Sequence, residues 1–165
     1  MKIAVRLCLL AAAGGLVFWL WTILFPSPEK IVLKKISSLA TTASIDAGAS
    51  NIVRAGKAGS VVAMFADDAQ IIVDVSGVGP RTLSGREEIR EAVMGGFASL
   101  RALNVRFLDA SPKIGVDKRS AEVNCTAEVR SGDSKDFGVQ ELRFGFRKID
   151  RDWLITRVET VKTLQ

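Results

Sequence analysis

Residues Leu7 to Phe25 form a run of 19 residues without a charge, with a single hydroxyl at Thr22, and Pro26 closes it. At about 1.5 Å rise per residue, a helix over this run nearly spans a hydrocarbon layer of roughly 30 Å. Ten of its residues are Leu, Ile, Val or Phe, each favouring the bilayer centre by roughly 0.3–0.6 kcal/mol. The run reads as one transmembrane helix. It divides the chain into a tail and anchor over residues 1–26 and a domain over residues 27–165.

A cleaved signal peptide is the competing reading, because Lys2 and Arg6 supply a basic segment ahead of the apolar core. A secretory core usually runs about 7–15 residues and ends in small residues. This one is longer and leaves through Thr22-Ile23-Leu24-Phe25-Pro26, which fits an uncleaved signal anchor better. Cys8 opens the run instead of closing it, so a lipoprotein site is a poor fit. Trp19 and Trp21 suit an aromatic belt at the distal interface. Lys2 and Arg6 before the run nearly balance Lys30, Lys34 and Lys35 after it. The short tail then favours a cytoplasmic N-terminus and a single-pass protein whose domain lies on the periplasmic side.

The domain has the length of one compact unit. The chain carries 23 basic and 18 acidic residues, and setting aside Lys2 and Arg6 leaves 21 against 18. Charges alternate in sign, as in Arg86-Glu87-Glu88 and Lys148-Ile149-Asp150-Arg151-Asp152, with no basic stripe studded by aromatics. That pattern argues against nucleic-acid binding. Cys125 is the domain's single cysteine, so no intrachain disulfide staples the fold, and it reads as a small buried hydrophobe.

Ser27-Pro28-Glu29 has the form of a helix start, with an N-cap, a proline in the first turn and an acid beside it. Ile31, Val32, Ile36, Leu39 and Ala40 then mark one face. After Asp46-Ala47-Gly48, a shorter helix weakened by Gly56 and Gly59 brings Val61, Val62 and Phe65 to one side before Asp67-Asp68. A strand over residues 70–75 turns through residues 76–80 into a short return strand. Ser84-Gly85-Arg86-Glu87 reads as a capping box, opening a helix with Ile89, Val93, Phe97 and Leu100 on one face. Beyond Asn104, turns at Asp117-Lys118, Gly132-Asp133 and Asp150-Arg151 divide four strands of an antiparallel meander. Helices packed on a curved antiparallel sheet define an α+β cone.

Three segments carry a resemblance: Phe65-Ala66-Asp67-Asp68-Ala69, Leu83-Ser84-Gly85-Arg86-Glu87-Glu88-Ile89, and Trp153-Leu154-Ile155-Thr156-Arg157-Val158-Glu159. In order and spacing they resemble the NTF2-like superfamily, closest to its SnoaL-like bacterial members. The resemblance implies the NTF2-like cone over nearly all of residues 27–165. It leaves function open, because such cones include isomerases, dehydratases, cyclases, ligand binders and noncatalytic assembly subunits. Single-pass domains of this kind occur in secretion and conjugation machinery, usually behind a longer cytoplasmic tail.

Catalytic members generally use an acidic base with Tyr, His or a protonated acid steadying an oxyanion. This chain has no histidine and no tyrosine, which removes imidazole metal ligands and the usual neutral-pH base. Asp68 and Asp74 remain as catalytic candidates, with Asp109, Asn104 and Thr82 behind them. Each has a plainer role in a turn, on an exposed strand or at a helix exit. The sequence implies no cofactor and no metal site.

The strands sort their side chains by face. Ala121, Val123, Cys125, Ala127 and Val129 alternate with Glu122, Asn124, Thr126, Glu128 and Arg130. Phe97, Phe107, Leu142, Phe144, Phe146 and Trp153 are expected to line the interior, and with it any cavity for an apolar small molecule or lipid. Glu122, Glu128, Arg143 and Arg147 are expected on the outer face, as solvated cross-strand pairs or as an interface for a second copy or an envelope protein. The reading that fits best is a membrane-tethered, noncatalytic accessory domain acting through protein association. An apolar-ligand binder and an acid/base enzyme of SnoaL type are the alternatives.

Overall fold

The computed structural model describes residues 26–75, 79–132 and 137–161; the apolar run at Leu7–Phe25 lies outside them. Among the described residues no helix is long and apolar enough to cross a membrane.

Three helices, α1 (Pro28–Ala43), α2 (Asn51–Val62) and α3 (Gly85–Ser99), pack on one face of a curved six-stranded sheet. The strands are β1 (Phe65–Val75), β2 (Gly79–Ser84), β3 (Leu103–Ile114), β4 (Ser120–Ser131), β5 (Phe137–Ile149) and β6 (Asp152–Thr160), in the spatial order β2-β1-β6-β5-β4-β3. The meander of the last four strands follows the sequence expectation. The sheet closes by setting β1 parallel to β6, with Phe65 beside Ile155 and Gln70 beside Arg157. This is an α+β architecture with helices on a curved sheet, as expected from the sequence.

Two local expectations need correction. Phe65, Asp67 and Asp68 do not end α2, because α2 stops at Val62 and Phe65 opens β1. Five positions from Phe65 to Gln70 face only two from Ile155 to Arg157, so β1 bulges. Phe65, Ala66 and Ala69 are buried while Asp67 and Asp68 are exposed. A bulged strand loses its period of two, which is why this stretch resembles a helix end. The second correction concerns the start of α3. The Ser84 side chain makes no capping bond, and the Ser84 N–H donates to the Glu88 carboxylate at 2.7 Å. Glu87 pairs instead with Arg90. Gly85, at φ +84°, takes a backbone shape that a side chain resists.

The core lies between helices and sheet. Val32, Ile36 and Leu39 of α1, Ile89 and Phe97 of α3, Val123 of β4, Phe144 and Phe146 of β5, and Trp153 and Ile155 of β6 are all buried in one cluster. Full burial of a side chain such as Phe144 or Ile155 contributes roughly 1.5–3 kcal/mol. The alternation expected of β4 holds from Ala121 to Ala127 and fails at Val129, which is 37% exposed.

Both sheet edges are protected. The β3 edge is covered at its start by a pair of backbone bonds between Ile45 and Leu103, and by the Ser44 hydroxyl, which accepts from the Val105 N–H at 3.0 Å. Farther along it carries a bulge between Leu108 and Ser111, then Pro112 and Lys113. The other edge, β2, is six residues long and contains Pro80 and Arg81. Short strands, bulges, prolines and lysines all discourage edge-to-edge pairing.

Candidate functional site

The three segments that carry the family resemblance meet at the start of β1. Arg86 donates through Nε and Nη2 to the Phe65 carbonyl at 3.0 and 2.6 Å and pairs through Nη1 with Asp67 at 2.8 Å. The Ile155 N–H donates to the Met64 carbonyl at 2.9 Å. A Cβ on Gly85 would lie 3.6 Å from the Asp67 carbonyl oxygen. What these residues do together is fasten α3, β1 and β6 at one corner. The motif is thus a structural joint, and it brings no pair of titratable groups to a common substrate atom.

The catalytic candidates do not form a pair. Asp68 is exposed and held by Arg147, whose Nη2 donates to both carboxylate oxygens at 2.9 and 3.0 Å. This hydrogen bond keeps the Asp68 carboxyl below the usual aspartate range, the wrong direction for a general base at neutral pH. Asp74 lies six residues along the same strand, about 20 Å away. Its N–H donates to the Thr160 hydroxyl at 3.1 Å. Asp109 sits at the β3 bulge with φ 54°, Asn104 is exposed on β3 and Thr82 is exposed on β2. The register sets Thr82 opposite Ile72, two residues from Asp74, whereas Asp68 lies at the other end of β1 and Asn104 and Asp109 lie on β3 at the far edge of the sheet.

The six residues expected to line a cavity are part of the core. Phe97, Phe144, Phe146 and Trp153 are buried in the main cluster, with Phe107 and Leu142 packed against it. Phe107 meets Phe144 edge to face at a centroid distance of 5.3 Å, and Phe144 lies 6.4 Å from Phe146. Edge-to-face rings at such distances attract beyond the area they bury. Three clefts border this core without sharing more than one of the six residues apiece. A cleft of about 600 Å³ runs between α1 and β3, lined by Leu33, Ile36 and Phe107 with Lys57 and Asp46 also in its wall. A second, of about 350 Å³, includes Leu142 and Asp109, and a third, of about 280 Å³, holds Phe97 between α2 and α3. Among the described residues no polar or charged side chain is buried.

The outer sheet face carries a linked set of charges. Arg143 lies 3.6 Å from Glu122 and 3.3 Å from Glu159, and donates to the Asn124 side chain at 3.2 Å. Arg157 adds a 2.7 Å contact to Glu159. A Cβ on Gly145 would stand 3.2 Å from the Arg157 Cβ, so glycine leaves the room in which Arg157 crosses the sheet. Two of the expected partners change: Glu128 pairs with Arg106 of β3 at 3.8 Å, and Arg147 pairs with Asp68 of β1. Expectation paired β4 only with β5, whereas Glu128 stands opposite Arg106 of β3 and the sheet extends past β6 to β1.

Two residues that sequence reasoning missed are also arginines. Arg54 of α2 donates to the carbonyls of Ala49, Phe97, Leu100 and Arg101. It closes the carboxyl end of α3, where unpaired carbonyls and the helix dipole favour a cation. Arg86 stood inside a quoted segment, but nothing in the sequence told its role from that of a surface charge.

No family model and no curated protein sequence matches the chain. Solved structures do match. An NTF2-like protein with a cystatin-like fold from Novosphingobium aromaticivorans superposes with a TM-score of 0.63 at 20% identity, covering 92% of this chain and 86% of its own. An NTF2-like protein of unknown function from Pseudomonas putida gives 0.64 at 12% identity, covering 83% and 87%. A dehydratase-like member of the NTF2-like family from Streptomyces avermitilis gives 0.59 at 15% identity, covering 82% and 97%. At such identities the likeness concerns the fold, and function must be argued from the residues present.

Proposed function

We propose that this chain is a membrane-tethered, noncatalytic accessory domain that works by associating with protein, either a second copy or an envelope component. In this reading Leu7–Phe25 is the uncleaved anchor and the NTF2-like cone stands on the periplasmic side. The observation that carries it is the division of polarity: the described interior is hydrocarbon, while the charged groups lie outside, linked across the sheet. An acid/base enzyme of SnoaL type would have to work through Asp68 or Asp74, which are far apart, and the first is committed to Arg147.

The association surface in this proposal is the outer sheet face around Glu122, Glu128, Arg143 and Arg147. Replacing Arg143→Glu sets a third acid between Glu122 and Glu159 and should shift the full-length protein in detergent toward the monomer by analytical ultracentrifugation. Circular dichroism of the same sample checks that the cone is intact. An unchanged assembly mass with a folded variant would remove the sheet face from the proposal.

The cleft between α1 and β3 supports a second reading, a binder of an apolar small molecule or lipid. Its size, about 600 Å³, falls within the range of ligand sites. That ligand would lie at the sheet edge against Phe107, in a cleft whose lining includes neither Phe144 nor Trp153.

A further inference from the structure

The end of the domain at which α1 begins has a composition that neither the core nor the sheet face explains. Helix α1 runs antiparallel to β3. Its end at Ser44 and Ile45 bonds to Val105 and Leu103 at the start of β3, so its first turn lies toward Ile114 and the turn beyond. That turn, residues 115–119, carries Val116, which is 104% exposed. Gly115 closes it through bonds with Ser120 and Lys118. Asp117 rigidifies it by accepting from the Arg119 and Ser120 N–H groups at 2.9 and 3.0 Å. The neighbouring turn, residues 149–152, is held alongside by the Lys148 N–H donating to the Arg119 carbonyl at 2.7 Å.

The turn thus holds one apolar side chain wholly in water on an ordered loop. Its surroundings are basic: Lys30 and Lys34 on α1 and Lys118 and Arg119 on the turn are all exposed. Lys148 and Arg151 adjoin them, against Glu29, Asp117, Asp150 and Asp152. On the opposite flank of the same end, where α3 starts, Arg86 and Arg90 pair with Asp67 and Glu87, and Glu88 adds an acid. Six cations against four acids leave this end with a small positive excess, and an apolar tip in mildly basic surroundings suits an anionic lipid surface.

The position of the apolar run supplies the second argument. It ends at Phe25, and Pro28 already belongs to α1. Three residues reach about 10 Å at full extension, so an anchored domain must hold this end against the headgroups.

We infer that the end of the domain formed by the start of α1 and the turn at residues 115–119 docks on anionic phospholipid, with Val116 entering the headgroup layer and Lys30, Lys118 and Arg119 facing phosphate. The inference rests on the anchor reading, since it is the anchor that brings this end to the bilayer. The clustered cations act together, each adding about fivefold to the affinity for an anionic surface.

The test is hydrogen–deuterium exchange on the full-length protein in nanodiscs, one set of phosphatidylcholine alone and one containing phosphatidylglycerol. Co-elution with the disc reports the anchor, and exchange over residues 115–119 and 29–34 reports docking. The expected result is co-elution in both sets, with exchange at these two segments slowed about fivefold or more by phosphatidylglycerol. The variant V116S/K118E/R119E should lose the slowing while β4 keeps its own protection. Co-elution with identical exchange in both lipids would overturn the docking surface and leave the anchor standing. Failure to co-elute would overturn both. Slowing that depends on protein concentration and not on lipid charge would assign the turn to a second copy, again overturning lipid docking.

Discussion

Cys125 illustrates how far a single side chain is governed by its surroundings. Burial among Ala, Val and Phe side chains pushes its thiol up to about 11 from the ordinary 9.0, because a thiolate there would lose its water. The folded protein thus keeps a proton that the unfolded chain gives up from about pH 9. Stability tied to this group is fully present below pH 9 and is lost as pH rises toward 11, since the unfolded state binds fewer protons throughout that window. Urea unfolding followed across it should show a steeper loss for the wild type than for Cys125→Ala. Equal pH slopes would mean that the thiol is better hydrated than its position implies. The same residue was readable in the sequence as a small hydrophobe, because it stands at an inward position of a regularly alternating strand.

Elements, more than residues, mark where sequence reading reaches its limit. The meander of β3 to β6 was legible because its strands alternate or are separated by turn residues such as Asp117-Lys118 and Asp150-Arg151. The bulged start of β1 was not, since Phe65-Ala66-Asp67-Asp68-Ala69 follows no single period, and neither was the parallel pairing of β1 with β6, which joins residues some 90 positions apart. Candidate site residues fared according to how local their contacts are. The inward aromatics were legible from alternation, while the partner of Glu128 depended on the register of β3 against β4 and that of Arg147 on strand order. Arg86 tests the joint between these elements. Arg86→Ala leaves the Phe65 carbonyl without its two donated bonds and removes the Asp67 pair, and it should cost about 1–3 kcal/mol in urea unfolding. A loss below about 0.5 kcal/mol, the usual range for an exposed charge, would show that the three segments are joined by packing alone.

On the scale of the whole molecule, the described features separate three surfaces by chemistry. The core between helices and sheet is apolar, the outer sheet face is a network of paired charges, and the end at which α1 begins is mildly basic around an exposed valine. A protein tethered by Leu7–Phe25 would have its basic end set on lipid and its sheet face free for a partner, which is the arrangement proposed for its function. Native mass spectrometry of the full-length protein, released from its own membranes in mild detergent, tests that account most directly. The account predicts an intact N-terminus and the mass of a homodimer or of a complex with a foreign subunit, with no retained small molecule. A monomer cleaved after the apolar run, or one carrying an adduct of a few hundred daltons, would contradict it.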